Sequence, residues 1–592
     1  MKLYMILLCR KLKFVTVVIG ENMKKSFFGR YASALTINSG LSKSIKDMKW
    51  YESSVPCRTA CPADTDIPGY LEAIYNKDYD KAYQINLEDN VFPGILGRVC
   101  SRPCEDSCRH GDESNGESVS ICFSKRSAEN FNFQKNFKLK DHAKKTRKNI
   151  LVIGSGVAGL TAARELTRCG HTVEIYEKHK SPGGMLNQGI PIFRLPRNVI
   201  DKEIKQVIQN DIKIHYNKNI KSCSEVRILA DKYDAVVLAL GTLKSNKINQ
   251  EFTESHNVEN GLEFLLRVNE FRNKHIGKNV IVIGGGYTGM DCARTALRLG
   301  AKSVRTFYRR TKTDLVILPG ELDELINENG KMIFNARPLN IIKKNNKLIG
   351  LELIKTKIVK RDGVYRLVDI KGSSFIVKTD HIILAIGQKQ HLSLTKNKLN
   401  NIFSVGDFAT GATTLINAIA HSKNVVRYID NFLMGRDLFS SDIKVTKVDM
   451  TGRSLKLNYV PIHKMPTTNL DKRTFSCEVE KGYAKNESHK EASRCYLCHY
   501  KFEINNDLCV LCDECLIAKP IKDCIVEVSD VQEHPDGDIS YKRINPDKTI
   551  GIYHGKLLID HKKCVRCGEC EKVCPTNAIS IQKVEKQNYV KI

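Results

Sequence analysis

Two stretches of this chain repeat one pattern: an apolar strand, a glycine-rich turn, a helix and a second strand. The first runs from Ile150-Leu151-Val152-Ile153 into Gly154-Ser155-Gly156-Val157-Ala158-Gly159, continues as a helical pattern through Cys169, and enters a strand from Val173 to Tyr176 that ends at Glu177. The second runs from Val280 to Ile283 into Gly284-Gly285-Gly286-Tyr287-Thr288-Gly289, a helix through Leu299 and a strand from Ser303 to Tyr308. Glycines in such a turn let the backbone approach a pyrophosphate, and the helix N-terminus adds amide donors and the positive end of a dipole. The chain is therefore expected to contain two Rossmann-like α/β nucleotide-binding units. Glu177 is placed to accept from ribose hydroxyls. The matching strand of the second unit ends in Arg309-Arg310, whose guanidinium groups would pair with a 2'-phosphate and favour NADP(H) over NAD(H). Arginines that merely face solvent are the alternative.

Two nucleotide sites in one chain fit a flavin and a nicotinamide cofactor. Tyr233 to Thr242 and His381 to Gln388 are apolar strands ending in Gly, as where two such units cross over. Ile402-Phe403-Ser404-Val405-Gly406-Asp407 then sets a carboxylate at a strand end, ahead of a helix beginning near Thr413. Asp407 can hold ribityl or phosphate-side hydroxyls, and the helix dipole would stabilise negative charge on a reduced flavin.

The run Gly183-Gly184-Met185-Leu186, followed by Gly189-Ile190-Pro191-Ile192-Phe193-Arg194-Leu195-Pro196, resembles the FAD domain of the small subunit of NADPH-dependent glutamate synthase and its relatives, among them the N-terminal half of dihydropyrimidine dehydrogenase. Gly406 to Thr414 and Ala418-Ile419-Ala420-His421 match the same family. The resemblance covers about residues 50 to 440. It implies an NADP domain inserted within the FAD domain. It also implies that Gly184, Leu186, Arg194, Gly406, Thr413 and Thr414 join Gly154, Gly156, Gly159, Glu177 and Asp407 at FAD. At NAD(P), Asp291 would join Gly284, Gly286, Gly289, Arg309 and Arg310. Disulfide reductases share this fold class but need a paired redox cysteine beside the flavin, and Cys169, Cys223 and Cys292 stand singly.

Of 21 cysteines, six fall between Cys57 and Cys122 and eleven between Cys477 and Cys574, around a cysteine-poor middle. A secreted disulfide framework would be short, so metal thiolates in a reducing cytoplasm are the better reading. Cys564-x2-Cys567-x2-Cys570-x3-Cys574-Pro575 fits the bacterial ferredoxin run, whose fourth cysteine ligates the other cluster of a pair. Its partner run is Cys509-x2-Cys512-x2-Cys515, with Lys519 at the expected fourth position and Cys524 beyond it. The expected sets are Cys509, Cys512, Cys515 and Cys574 for one 4Fe-4S cluster, and Cys564, Cys567, Cys570 and Cys524 for the other. Zinc is the alternative for either set. Near the start, resemblance to the family's helical domain assigns Cys61, Cys100, Cys104 and Cys108 to a third 4Fe-4S cluster and leaves Cys57 and Cys122 over. Relatives with a further cluster there carry extra cysteines just upstream, where this chain has Glu52, Ser53 and Ser54, which argues against a second N-terminal cluster but leaves it open. Cys495-x2-Cys498, in a segment resembling the tail of the same family, is read as structural.

These readings divide the chain into a basic, disordered tail (1–46), a helical cluster domain (47–146), an FAD domain (147–255 and 380–434), an NAD(P)H domain (256–379), a linker (435–491) and a ferredoxin-like α+β domain with two clusters (492–592). Up to Lys46 the only acidic residue is Glu21; a transit peptide, a disordered tail and a start at Met23 all fit. No apolar run approaches the roughly 20 residues of a membrane span. The net charge of +28 is spread without a dense run, as a compositional bias makes it, and no nucleic-acid partner is expected. A hydride donor delivers two electrons and clusters carry one, so FAD belongs between them. The expected activity is NAD(P)H:acceptor oxidoreduction in the cytoplasm, with a redox partner protein and a homo-oligomer left open. The ferredoxin tail, with Arg494 to Lys501 and Lys519-Pro520, looks like that of the iron–sulfur flavoproteins accompanying dissimilatory sulfite reductase in sulfur oxidisers. A glutamate synthase small subunit, an NAD(P)H:ferredoxin oxidoreductase and a scaffold whose nucleotide sites no longer turn over are the alternatives; intact glycines and Asp407 argue against the last.

Overall fold

The computed structural model describes residues 45–590 except 113–115, 135–136, 209–211, 243, 247, 249–251, 253–256, 272–274, 362, 390–399, 534–538 and 545–554. All but the last two residues of the expected basic tail lie outside the described residues.

The chain opens with short helices: Ile45–Ser54, Pro56–Ala60, Ile67–Tyr75, Tyr79–Asn90, Pro93–Val99, Pro103–Asp106 and Ile121–Phe131. Proline occupies the first turn of four of them, where its missing N–H costs nothing and its φ is already helical. Asp66 and Asp78 cap the starts of Ile67–Tyr75 and Tyr79–Asn90 by accepting from Gly69 N at 3.3 Å and Lys81 N at 3.0 Å. Frequent restarts leave turns at Cys61, Cys100 and Cys108, which end or follow these helices in extended conformation.

The chain then forms β1 (Asn149–Ile153), β2 (Thr172–Tyr176), β3 (Lys213–His215) and β4 (Ala235–Leu238), leaves for β5 (Val258–Asn260), β6 (Asn279–Ile283), β7 (Ser303–Tyr308), β8 (Lys331–Phe334) and β9 (His381–Leu384), and returns at β10 (Ile402–Ser404). Two parallel sheets result, ordered β10-β4-β1-β2-β3 and β5-β9-β6-β7-β8. Ile150 to Ile153 and Val280 to Ile283 are buried without alternation, as expected of strands covered on both faces. Between β8 and β9 an antiparallel sheet spans residues 336–378.

The C-terminal part adds β11 (Phe439–Val448), β12 (Tyr500–Ile504), β13 (Ile525–Glu533), β14 (Ile539–Arg543), β15 (Lys556–Ile559) and β16 (Ile579–Val590) in two antiparallel sheets, β11-β16-β12 and β14-β13-β15. The expected linker at 435–491 is thus a folded part of this unit: β11 pairs with β16 from Phe439↔Val590 to Val448↔Ile581. Its residues Ile443, Val445, Thr446 and Val448 suit a pleated surface.

The C-terminal unit lies against the N-terminal helices. Glu72, on helix Ile67–Tyr75, accepts from Tyr500 OH at 2.5 Å and Lys583 Nζ at 2.8 Å, and Trp50 Nε1 donates to His561 Nδ1 at 2.7 Å. Fully buried Glu491 accepts from Ser120 N and pairs with Arg494. Among the described residues no helix is long and apolar enough to cross a membrane.

Candidate functional site

A cavity of about 550 Å³ opens above the C-terminal edge of the first sheet. Its walls include Gly154, Gly156, Glu177, Gly184, Asp407, Thr413 and Thr414. Gly154 holds φ +105°, and a Cβ there would meet Ala239 O at 2.5 Å; one on Gly159 would meet Gly154 O at 1.9 Å. These two glycines let the turn and helix Val157–Arg168 close on the sheet. Gly156 differs: a Cβ there meets nothing within 4 Å, so it would project into open space where a pyrophosphate could approach the backbone. The second turn repeats this division. Cβ atoms on Gly284 and Gly289 would meet Ala385 O at 2.2 Å and Gly284 O at 2.5 Å, and one on Gly286 would meet nothing within 4 Å.

Glu177 is 5% exposed and accepts from Ser155 N at 2.9 Å, Ser155 Oγ at 2.6 Å and His179 N at 2.8 Å. It shapes the glycine turn and keeps part of its acceptor capacity, since a carboxylate offers about four lone-pair sites. Asp407 accepts from Thr413 N at 3.1 Å and Thr413 Oγ1 at 2.6 Å. Burial pushes its carboxyl up, against the pull of both Thr413 bonds. Thr414 caps helix Leu415–Met434, whose first turn lines the cavity. Gly406 N donates to His421 Nδ1 at 3.1 Å, and burial lowers the pKa of this imidazole.

Leu186 is wholly buried in the main core, away from the cavity wall. Arg194 and Asp291, expected at different cofactors, meet each other: Arg194 Nη1 lies 2.6 Å from Asp291 and its Nη2 lies 2.6 Å from Glu321. The contact joins the segment after Gly189 to helices Tyr287–Arg298 and Glu321–Asn327. Arg194 does not line the flavin cavity, and a salt bridge takes up the carboxylate of Asp291. Arg309 is exposed and Arg310 half-buried at the end of β7; among the described residues neither is in an ion pair.

The cysteines gather in cages. Cys509, Cys512, Cys515 and Cys574 line one cavity with about 320 Å³ of atom-free space. Burial pushes Cys515 up to about 11, with Cys509, Cys512 and Cys574 adding to it. At Cys574 the burial effect is outweighed by amides such as Ala578 N, 3.2 Å from its Sγ, and the pKa falls. Burial pushes Cys524 up to about 12, and its thiol neighbours are Cys564 and Cys567; those of Cys570 include Cys564, Cys567 and Cys524. Lys519 turns away, donating to Ile525 O at 3.0 Å.

At the other end, burial holds Cys104 well above the usual thiol range, with Cys100 and Cys61 adding to the effect. Cys108, expected with these three, lines a separate cavity with Cys57, Cys495 and Cys498. The reason is local: Cys104 sits inside helix Pro103–Asp106, whereas Cys108 follows it at φ −70°, ψ 124° and points elsewhere. Among the described residues no three His, Cys, Asp or Glu side chains close on a point that would hold a single metal ion. The sulfurs surround cavities instead, a donor set that suits clusters of soft iron and sulfide.

Residues 148–422 match the pyridine nucleotide-disulphide oxidoreductase family, residues 51–137 match dihydropyrimidine dehydrogenase domain II with a 4Fe-4S cluster, and residues 557–580 match the 4Fe-4S binding domain. The chain is 28% identical over 510 residues to the NADPH-Fe(3+) oxidoreductase subunit beta of Geobacter sulfurreducens, covering 75% of each chain. It is 30% identical over 425 residues to the glutamate synthase (NADPH) small chain of Escherichia coli, covering 64% of this chain and 88% of that one. It is 29% identical over 426 residues to the NADP(+)-dependent formate dehydrogenase subunit beta of Moorella thermoacetica, covering 64% of this chain and 60% of that one.

Proposed function

The chain belongs to the glutamate synthase small-chain family of NADPH-dependent oxidoreductases that use FAD and 4Fe-4S clusters, and on that premise we propose that it exchanges electrons between NADPH and a separate redox protein docked at its C-terminal cluster unit. The observation that carries this reading is the cavity lined by Gly156, Glu177 and Asp407 in a chain whose cysteines form cages at both ends.

FAD, when bound, supplies the exchange between a hydride's electron pair and the single electrons that clusters accept. Gly154, Gly156 and the N-terminus of helix Val157–Arg168 receive its pyrophosphate, with Gly159 packing that helix on the sheet. Glu177 keeps acceptor sites for ribose hydroxyls. Asp407, fixed by Thr413, holds a further hydroxyl, and the start of helix Leu415–Met434 opposes negative charge on the flavin. Gly284, Gly286 and Gly289 do the same for the dinucleotide of NADPH, and Arg309 and Arg310 pair with its 2'-phosphate. Cys509, Cys512, Cys515 and Cys574 hold one C-terminal cluster and Cys564, Cys567, Cys570 and Cys524 the other, while Cys61, Cys100 and Cys104 belong to an N-terminal one.

The segment that carries exposed Cys512 also exposes the apolar side chains of Leu508, Val510 and Ile517, a surface that suits a docking electron acceptor. Dissimilatory sulfite reductase is the first partner to try, given the likeness of the ferredoxin tail; ferredoxin and a glutamate synthase-type large subunit are the alternatives. The test is anaerobic turnover by purified protein reconstituted with FAD. NADPH should reduce an artificial dye, and reduction of the added partner should need the C-terminal clusters. Flavin-loaded protein that reduces no dye would overturn the proposal.

A further inference from the structure

Two cysteines near the start of the chain and two near its end share one cavity. Cys57 and Cys108 face Cys495 and Cys498 among Ile67, Leu71, Val119, Ile121 and Tyr496, around about 370 Å³ of atom-free space. A gap of similar size, about 320 Å³ and likewise open in part to solvent, lies among Cys509, Cys512, Cys515 and Cys574. We propose that Cys57, Cys108, Cys495 and Cys498 together hold a 4Fe-4S cluster, built from both ends of the chain at the seam between the N-terminal helices and the C-terminal unit.

The loop at Cys495 carries the backbone mark of a cluster loop. In the first Cys-x2-Cys turn of each C-terminal run the residue before the second cysteine is left-handed: Leu511 at φ +52° and Arg566 at φ +56°. Leu497 takes the same place in Cys495-Tyr496-Leu497-Cys498, at φ +50°. A bulky L-residue rarely adopts this region, which costs of order 1–3 kcal/mol unless the surroundings require it. The result is an amide aimed at sulfur: Leu497 N donates to Cys495 Sγ at 3.4 Å, as Ala578 N does to Cys574 Sγ at 3.2 Å. A buried structural cysteine has no need of such a turn.

Charge gives an independent reason. Arg566 is wholly buried and bonds only to carbonyls, among them His561 O at 2.8 Å, Tyr500 O at 3.2 Å and Cys498 O at 3.3 Å. Arg453, 6% exposed, donates to Cys495 O at 2.9 Å and Val565 O at 2.8 Å and bonds to Asn458. Among the described residues neither has a carboxylate partner. Arg109 Nη1 points at Cys498 Sγ from 3.6 Å. Buried guanidinium groups need anions nearby, and four thiolates around a cluster would supply net negative charge between them. The same arginines reach the carbonyls of Val565 and Cys564, so the cage adjoins the Cys564 to Cys570 run. The missing upstream cysteines, replaced by Glu52, Ser53 and Ser54, are then made good from the other end of the chain.

This inference stands apart from the choice of redox partner, and flavin content, measured alongside, reports on the nucleotide site separately. The test compares iron and acid-labile sulfide in anaerobically purified full-length protein with three variants: Cys495→Ser/Cys498→Ser, Cys57→Ser/Cys108→Ser, and all four changes together. Each double variant should lose about four irons per chain, and the quadruple variant should lose no more than either, because one cage is lost in all three. Unchanged iron in the Cys495→Ser/Cys498→Ser protein overturns the proposal. So do additive losses in the quadruple variant, or zinc present in the unchanged protein and lost in place of iron. If the double variants do not fold, Cys57→Ser alone is read by electron paramagnetic resonance of the reduced protein. One cluster signal should vanish or be replaced by that of a three-iron form, and an unaltered spectrum overturns the inference.

Discussion

Arg309 and Arg310 end β7 where the first unit has Glu177, and the difference is one of charge. Glu177 is spent largely on the glycine turn of its own unit. Arg309 is exposed and, among the described residues, is in no ion pair. Changing both arginines to Ala should raise the KM for NADPH by about tenfold, the loss of about 1.4 kcal/mol of screened charge-assisted bonding, and leave that for NADH within about twofold. Equal effects in steady-state assays with the two cofactors would remove the arginines from the site. Cys524 poses a second question at this scale, because Lys519 takes the position where the run expects a ligand and its ammonium cannot replace a thiolate. Cys524→Ser should lower iron by about one cluster or leave a three-iron remnant, while dye reduction by NADPH survives because the flavin cavity lies elsewhere. Iron and spectra unchanged in that variant would show that Cys524 is no ligand.

At the scale of elements, the two strand–turn–helix units make matching predictions. Gly156→Val places a branched side chain in space that is open in this structure, so purified protein should retain little FAD. Gly286→Val should leave flavin content intact and abolish reduction by NADPH, since only the second turn is blocked. If both variants lost flavin equally, the assignment of one cofactor to each sheet would fail. These turns were legible in the sequence because glycine spacing and apolar runs are local signals, fixed by sterics within a few residues. The Cys-x2-Cys-x2-Cys runs were legible for the same reason. β11 was not, because its partner β16 lies at the far end of the chain and pairing register leaves no mark nearby. Arg194 and Asp291 were assigned to two cofactors by motif, and their ion pair depends on how the two sheets meet. The partition of Cys108 from Cys104 was hidden too: four residues of spacing do not say that a helix ends between them.

At the scale of the molecule, the ends of the chain are bound together through charged groups such as the Arg98–Glu478 and Asp64–Lys586 pairs, and Glu72 is one of them. It projects from helix Ile67–Tyr75 to Tyr500 and Lys583, on strands β12 and β16, with His499 Nε2 at 3.6 Å. Burial alone would raise its pKa. The neighbouring His499 and the bonds from Lys583 and Tyr500 outweigh burial and hold it at about 2. A carboxylate whose pKa is depressed on folding contributes fully above its ordinary value of about 4.3 and loses that contribution only as pH falls through the folded value, so at neutral pH the contact is at full strength. Glu72→Gln keeps the shape and an acceptor for Tyr500 but removes the charge opposite Lys583, and should cost about 1–3 kcal/mol. The expected readout is a lower midpoint of thermal unfolding and faster proteolysis between the two ends, with FAD content unchanged because the flavin cavity does not include this seam. A midpoint equal to that of the unchanged protein would mean that other contacts across the seam, among them Ser120–Glu491, Asp64–Lys586 and Trp50–His561, hold the ends without help from Glu72.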